Sequence, residues 1–247
     1  MKNSGFSILE LSVVLTVIAL IAGSALAIGA TRIQAAKTED TDKKMQAIIE
    51  VLDAFVQNYG YLPCPADPQA SPSAANFGLG EVDEDGNCTA SNLLGSGNIR
   101  IGVVPSTTLR LAPSIMMDGW NRRITYAVDQ RFTFTVADPA AGYKANNPDI
   151  IAGDFIRILS TSSPATLITD KAVVALVSHG ANGHGAWPGK GAAAPLNNDS
   201  TDADERENSN LNADGGINLS FVQKFPTETF DDIVYYRMKW QFPAVNE

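Results

Sequence analysis

The sequence predicts an α+β fold in which one long N-terminal α-helix packs on an antiparallel β-sheet. Three observations predict it. An apolar run of membrane length lies near the start of the chain, an amphipathic helical pattern continues it to Asn58, and short β-like runs separated by loops fill much of the remainder. One helix followed mainly by strands with short links is typical of α+β proteins with antiparallel sheets.

The first element is an apolar run of 21 residues, Ile8 to Ile28, interrupted only by Glu10 and a few Ser, Thr and Gly residues. At 1.5 Å per residue, a helix of this length spans about 30 Å, which is the thickness of the hydrocarbon core of a bilayer. We therefore expect residues 6–30 to form a transmembrane helix.

The second element is the amphipathic half of the same helix, residues 31–60. Its apolar side chains recur at spacings of three and four, which places them on one face. They are Met45, Ile48, Ile49, Leu52, Phe55, Val56 and Tyr59. Gly60 favours the end of the helix and Pro63 prevents it from resuming. We expect this face to pack on a globular head, residues 61–247.

The head is predicted to be rich in β-strands. Partial alternation of apolar and polar residues in Arg131 to Val136 and in Val234 to Trp240 favours half-buried strands. The full set of runs with strand-forming composition is Ile99 to Val104, Ile124 to Val128, Phe132 to Val136, Phe155 to Leu159, Val173 to Val177 and Ile233 to Phe242.

Composition argues against a nucleic-acid-binding protein. The net charge is −9, whereas binding to the phosphate backbone requires clustered Lys and Arg. Lys43–Lys44 and Arg122–Arg123 are isolated pairs, and we expect both on the solvated surface. No nucleic-acid partner is predicted, although recognition of DNA or sugar by a surface of the head stays open.

The two cysteines, Cys64 and Cys88, predict one disulfide if this region is exported. The bridge would close a loop of about 25 residues and stabilise the fold by roughly 3 kcal/mol in the chain-entropy model. The alternatives are two free thiols or half of a metal site. A zinc site is not expected, because the sequence has no CxxC and both histidines are distant.

Glu10 is the most unusual residue of the apolar run. A charged residue at mid-span costs about 2.5 to 3.5 kcal/mol on membrane-insertion scales. A secretory signal peptide cleaved after Ala27 and a plain signal anchor are two interpretations of this segment. Neither interpretation accounts for the carboxylate of Glu10. The apolar run is preceded by a short polar leader that ends at Gly5 and is followed by Phe6, and Lys2 is the only cation of this leader.

The order Gly5, Phe6 and Glu10 resembles the processing site of type IV pilins and of the pseudopilins of type II secretion, over about the first thirty residues. The resemblance implies that residues 1–5 are a leader that prepilin peptidase removes after Gly5, and that the new amine of Phe6 is methylated. It also implies that Glu10 pairs with the terminal amine of a neighbouring subunit and sets the register between subunits. Ala27 stands where many pilins have a helix-kinking proline, so the kink stays open.

The resemblance implies a pilin-like fold and a structural, non-enzymatic function. The protein would be a pilin or pseudopilin, more in keeping with a minor subunit, of a type IV pilus or a type II secretion pseudopilus. Its partners would be prepilin peptidase, other subunits and the inner membrane, which one helix would cross with the head in the periplasm before assembly into a filament that can reach the cell surface. The alternatives are a membrane-anchored periplasmic binding module, such as an adhesin-like head, and an anchored periplasmic enzyme.

Two segments of the head also resemble segments of pseudopilins. They are Asp118 to Tyr126 and Phe230 to Val234. A third segment, Ser178 to Gly185, contains both histidines, His179 and His184. The spacing nominates no third ligand or catalytic partner for them, so we expect this segment to be a glycine-rich turn.

The sequence establishes no cofactor, and calcium is the one for which it offers candidate ligands. Residues 197–216 are rich in acidic side chains, and calcium takes six to eight oxygen ligands from flexible loops. The candidate ligands are Asp199, Asp202, Asp204 and Asp214. The order is not that of an EF-hand, because Phe221 stands where a bidentate Glu is required. Major pseudopilins are similar in placing a calcium site in a loop before their C-terminal segment; the alternative is a solvated acidic loop.

Overall fold

The structure, a computed structural model, describes residues 7–83, 87–133, 155–196, 199–209 and 219–242. It begins with a 52-residue helix, α1 (Ile8–Tyr59); for residues 23–28 and 30 of α1, the description covers the backbone and not the side chains. The other elements are β1 (Leu94–Ser96), β2 (Ile99–Val103), β3 (Arg122–Arg123), β4 (Thr125–Asp129), β5 (Ile156–Ser162), β6 (Ala165–Ser178), β7 (Trp187–Pro188), α2 (Ala203–Asn208), β8 (Ser220–Val222) and β9 (Ile233–Met238), with 3₁₀ turns at Gln130–Phe132 and Lys239–Gln241.

One face of α1 is buried between Met45 and Val56. Met45, Ile48, Leu52 and Val56 are fully buried, and they belong to the same apolar core as side chains of β4 and β6. Their spacing of three and four residues follows the helical period, so one turn after another contributes to this core. Burial of each large aliphatic side chain is worth about 1.5 to 3 kcal/mol, and this face therefore holds the second half of α1 to the head.

A tight turn extends the contact between α1 and the head as far as Gln34. The N–H of Gly119 donates to Thr41 Oγ1 at 2.9 Å, and Trp120 Nε1 donates to Gln34 Oε1 at 2.9 Å. A Cβ atom on Gly119 would lie 2.3 Å from the carbonyl oxygen of Lys37. Glycine is therefore required where this turn meets the helix backbone.

The head is built around a seven-stranded sheet with the order β1-β2-β4-β6-β5-β8, in which β9 also pairs with β6. The long strand β6 is central: its first half pairs with β5, and its second half pairs with β4 and β9. β5 and β8 run parallel, whereas the other pairs in this sheet are antiparallel. A separate two-stranded sheet joins β3 to β7.

The predicted fold class, a long helix with a transmembrane half packed on an antiparallel sheet, is wrong. The described part of the head is mostly sheet, curled into a half-barrel and mixed in direction. Antiparallel pairing was predicted because most links between strands are short. However, β8, which follows the long segment containing α2, returns beside β5 in the parallel direction.

The predicted transmembrane helix is also corrected. Among the residues that the structure describes, no helix is long and apolar enough to cross a membrane. The predicted inner-membrane single-pass localisation with a periplasmic head depended on that span and is not supported.

Two further expectations about the head differ from the structure. A strand was expected from Phe132 to Val136, but the chain forms a 3₁₀ turn at Gln130–Phe132, and residues 134–136 are not among those described. Arg123 was expected on the solvated surface, but it is 1% exposed. Its guanidinium donates hydrogen bonds to the carbonyl oxygens of Pro68 and Ala70 and so satisfies these two acceptors of a neighbouring loop.

The predicted disulfide between Cys64 and Cys88 is confirmed, with Cα atoms 5.4 Å apart and a sequence separation of 24 residues. We expect the double variant Cys64→Ala/Cys88→Ala to lower the free energy of unfolding by about 3 kcal/mol, because the open chain regains loop entropy when it unfolds. Chemical denaturation with and without a reducing agent measures this. Reduction should lower the stability of the wild-type protein by a similar amount and leave the double variant unchanged; a double variant as stable as the oxidised wild type would contradict the prediction.

Candidate functional site

The start of α1 is closed by a reciprocal pair of capping hydrogen bonds. Ser7 Oγ accepts from the N–H groups of Leu9 at 3.2 Å and Glu10 at 3.3 Å. Glu10 Oε2 in turn accepts from the N–H of Ser7 at 2.9 Å. This capping box satisfies donors that a helix start leaves open, and it sets a carboxylate at the positive end of the helix dipole. Gly5 and Phe6 lie outside the described residues.

The first half of α1 exposes a continuous set of large apolar side chains. Their exposed fractions run from 46% at Val14 to 88% at Ile8. The set is Ile8, Leu9, Leu11, Val13, Val14, Leu15, Val17, Ile18, Leu20 and Ile21, which we call the apolar segment. An exposed surface of this kind marks a site of interaction, because each of these side chains gains about 1.5 to 3 kcal/mol when it is buried.

Polar groups within the apolar segment are satisfied by the helix itself, with one exception. Ser12 Oγ donates to the carbonyl oxygen of Leu9, and Thr16 Oγ1 donates to that of Ser12, each at 2.8 Å. These hydroxyl groups therefore need no hydrogen-bond acceptor from a partner surface. Glu10 is different, because a capping bond to Ser7 leaves a charged carboxylate at the surface of the helix.

Two of the four predicted calcium ligands lie close to the ammonium group of a lysine. Lys224 Nζ lies 2.6 Å from Asp204 Oδ2 and 3.6 Å from Asp202 Oδ2. Burial raises the pKa of Asp204, but hydrogen bonds from Lys224 and Ser162 outweigh it and lower the pKa overall. Asp202 also caps α2 through the N–H of Asp204. Asp199 is exposed and Asp214 lies outside the described residues, so the structure does not bring the four together.

A different group of acidic residues lies together where α2 meets the segment before β9. Ligand oxygens of Glu205, Asp231 and Asp232 all lie within 4.8 Å of one another; we call this group the acidic cluster. Glu205 is supplied by α2, and the two aspartates immediately precede β9. Asp231 and Asp232 lie in the segment Phe230 to Val234, and neither was among the predicted calcium ligands. Two consecutive carboxylates before a buried strand are the signal that was available.

Hydrogen bonds fix each carboxylate of the acidic cluster on one side. Glu205 Oε1 accepts from Asn182 Nδ2 at 2.7 Å and from the N–H of Asp231 at 3.1 Å. Asp231 Oδ2 accepts from the N–H groups of Ala181 and Asn182 at 2.8 and 3.0 Å. Asp232 Oδ2 accepts from Asn208 Nδ2 at 2.9 Å. The cluster thus joins α2, the Ala181–Asn182 turn and the start of β9.

The acidic cluster carries an electrostatic penalty. Glu205 is 1% exposed and Asp232 is 3% exposed. Burial raises the pKa of Asp232 well above its usual value, and the neighbouring Glu205, Asp231 and Asp202 charges add to the effect. Burial also raises the pKa of Asp231, and Glu205 adds to that shift. Within the described residues, Asp231 Oδ1 and Asp232 Oδ1 have no hydrogen-bond partner.

The glycine-rich segment Ser178 to Gly185 lies against the acidic cluster. Gly180 has φ of 53°, and a Cβ there would lie 2.3 Å from the carbonyl oxygen and Oδ1 of Asp231. His179 is buried, with Nε2 3.2 Å from Thr125 Oγ1, and burial, assisted by the Arg122 charge, lowers its pKa to about 4. His179 is therefore neutral at physiological pH, and the segment turns tightly, as expected from its glycines.

Comparison of the chain with protein-family models, with curated proteins and with solved structures finds no match. The geometry and the sequence motif are therefore the grounds on which a function can be argued.

Proposed function

We propose that the protein is a structural subunit of a pilin-like filament, a pilin or pseudopilin, and that it assembles through the apolar segment of α1. The observation that carries this proposal is the combination of that segment with one charged residue, Glu10, near its start. Helices that are apolar on all sides need apolar surroundings. The corresponding helices of neighbouring subunits provide them in a filament core.

Glu10 supports the proposal because its charge requires a partner once the apolar segment is covered. An unpaired buried charge costs several kcal/mol, whereas a hydrogen-bonded ion pair is tolerated and fixes register. Cleavage after Gly5 would create such a partner, the amine of Phe6, whose reference pKa near 8 keeps it largely protonated. The capping bond engages Oε2 of Glu10, and the neighbouring subunit's amine would bind the other oxygen.

The head gives the subunit a rigid body outside the filament core. Its contacts with α1 run from Gln34 to Val56 through the turn at Gly119 and the shared apolar core. The disulfide closes the loop that follows α1. In this proposal the protein acts mechanically, and prepilin peptidase and other filament subunits are its partners.

Mass spectrometry of the mature N-terminus tests the proposal. In a host that contains prepilin peptidase, we expect the chain to begin at N-methylated Phe6, and we expect Gly5→Val to leave the precursor uncut because the peptidase requires the small residue. Ala27→Leu is the matched control, since it blocks signal peptidase and should leave cleavage after Gly5 unchanged. A mature chain that begins at Ile28 would overturn the proposal.

A further inference from the structure

We propose that a cleft between α1 and the start of β9 binds a small organic cation, a molecule that carries an ammonium group on an apolar body. The cleft has a volume of about 670 Å³, and its walls come from α1, from the loop that follows β8 and from the first residues of β9; we call it the β9 cleft. It is separate from the apolar segment of α1, and the proposal does not depend on filament assembly.

The size and the lining of the β9 cleft suit a small molecule. Small-molecule sites typically have volumes of about 300 to 1,000 Å³ and are lined mainly by apolar side chains with a few polar groups. In the β9 cleft, Phe225, Pro226, Ile233 and Val234 supply apolar surface. A ligand that fits the cleft therefore needs an apolar body.

The side-chain donors that line the β9 cleft are hydrogen bonded within the protein. Tyr235 donates its hydroxyl hydrogen to Asp42 Oδ1 at 3.4 Å. Lys224 Nζ lies 2.6 Å from Asp204 Oδ2 and 4.4 Å from the centre of the Phe230 ring. Three more lining side chains donate to backbone carbonyl oxygens, and these are Thr38, Ser160 and Gln223.

Two carboxylates of the β9 cleft keep the capacity to accept. Asp42 is partly buried, and the hydrogen bond from Tyr235 engages its Oδ1. Asp232 is 3% exposed; its Oδ2 accepts from Asn208, and its Oδ1 has no hydrogen-bond partner in the described part of the chain. A buried carboxylate oxygen without a partner is strongly unfavourable. Within the described ranges, neither aspartate forms an ion pair with Lys or Arg.

This distribution of donors and acceptors identifies the ligand as a cation. An ammonium group brings three donors and no acceptor, and its hydrogen bonds to carboxylates are roughly twice as strong as neutral ones. The rings of Phe225 and Tyr235 also line the cleft, and the face of an aromatic ring attracts an ammonium group within about 6 Å. Phe225 is 92% exposed, so its ring is available to a ligand. An anion would instead meet two carboxylates.

Calorimetric titration of the full-length protein in a non-ionic detergent tests the site with three aromatic probes of similar size. Phenethylamine carries an ammonium group, 2-phenylethanol a neutral hydroxyl group and phenylacetate a carboxylate. We expect phenethylamine to bind with a Kd below about 1 mM, 2-phenylethanol to bind at least about tenfold more weakly, and phenylacetate to bind most weakly. Equal affinities for phenethylamine and 2-phenylethanol, or no binding of phenethylamine at about ten times the expected Kd, would overturn the proposal.

Matched variants locate the site. Asp42→Asn removes the charge without a change in size, so it should lower the affinity for phenethylamine at least about tenfold and leave the affinity for 2-phenylethanol unchanged. Asp40→Asn is the control on the same helix; Asp40 pairs with Lys44, neither residue lines the cleft, and this variant should bind both probes as the wild type does. Phe225→Ala should weaken the binding of phenethylamine about two- to fivefold. If Asp42→Asn binds phenethylamine as tightly as Asp40→Asn does, the proposed site is wrong.

Discussion

Replacing Glu10 with alanine is expected to keep the protein out of filaments while leaving its head folded. The variant loses the carboxylate that is proposed to bind a neighbouring subunit's amine, and that amine then enters the filament core without a partner. We expect at least a tenfold fall in the fraction of protein recovered in sheared filaments, since tenfold corresponds to only about 1.4 kcal/mol and an uncompensated buried charge costs more. Quantitative immunoblotting of filament and cell fractions measures it.

Two controls separate the charge of Glu10 from its capping role. Glu10→Gln can still accept from the N–H of Ser7, but it carries no charge, so it should fail to assemble nearly as completely as Glu10→Ala. Glu39→Ala removes an exposed carboxylate that forms a surface ion pair with Lys43, and this variant should assemble normally. Normal assembly of Glu10→Gln would show that the residue acts through the helix cap, and the ion-pair role would be wrong.

Local features of this protein could be predicted because they depend on neighbours in sequence. The face of α1 that contains Met45, Leu52 and Val56 follows from helical spacing alone, and Gly60 ends the helix by adopting φ of 75°. The disulfide was predicted from the presence of two cysteines, on the condition that this region is exported. The parallel pairing of β5 with β8 depends on how a long connection folds back, and no local pattern encodes it.

Of the two candidate sites, one could be predicted from local sequence and the other depends on the tertiary structure. Glu10 was identified by its position in an apolar run and by the order of Gly5 and Phe6 before it. The acidic cluster brings Glu205 beside Asp231 and Asp232 across 26 residues of chain, as in the hydrogen bond from the Asp231 N–H to Glu205. Composition identified the acidic segment 197–216 as a whole, but only the tertiary structure shows that Asp204 pairs with Lys224, whereas Glu205 lies beside Asp231 and Asp232.

Arg123 is another residue whose environment could not be predicted from the local sequence. Its replacement is the second change for which we expect a large effect, in this case on stability. Its sequence context, beside Arg122 in a polar turn, suggested a solvated residue, yet it is among the largest fully buried side chains. Nη1 donates to the carbonyl oxygen of Pro68 at 3.1 Å, Nη2 donates to those of Ala70 and Gly189, and the guanidinium carbon lies 5.2 Å from the centre of the Phe77 ring. One side chain thus connects the loop after Cys64 to the β3–β7 sheet.

We expect Arg123→Ala to lower the free energy of unfolding by about 3 kcal/mol, because it leaves a cavity and deprives several buried carbonyl groups of their donor. For a chain of this size that corresponds to a fall in Tm of roughly 6 to 12 °C, which calorimetry measures. Arg100→Ala is the matched control. Arg100 also donates to two carbonyl oxygens, those of Gly97 and Ile99, but near the surface, where water replaces it, so the loss should stay within about 0.5 kcal/mol. Equal losses in the two variants would mean that burial of Arg123 contributes nothing beyond its hydrogen bonds, and the predicted difference in stability would be wrong.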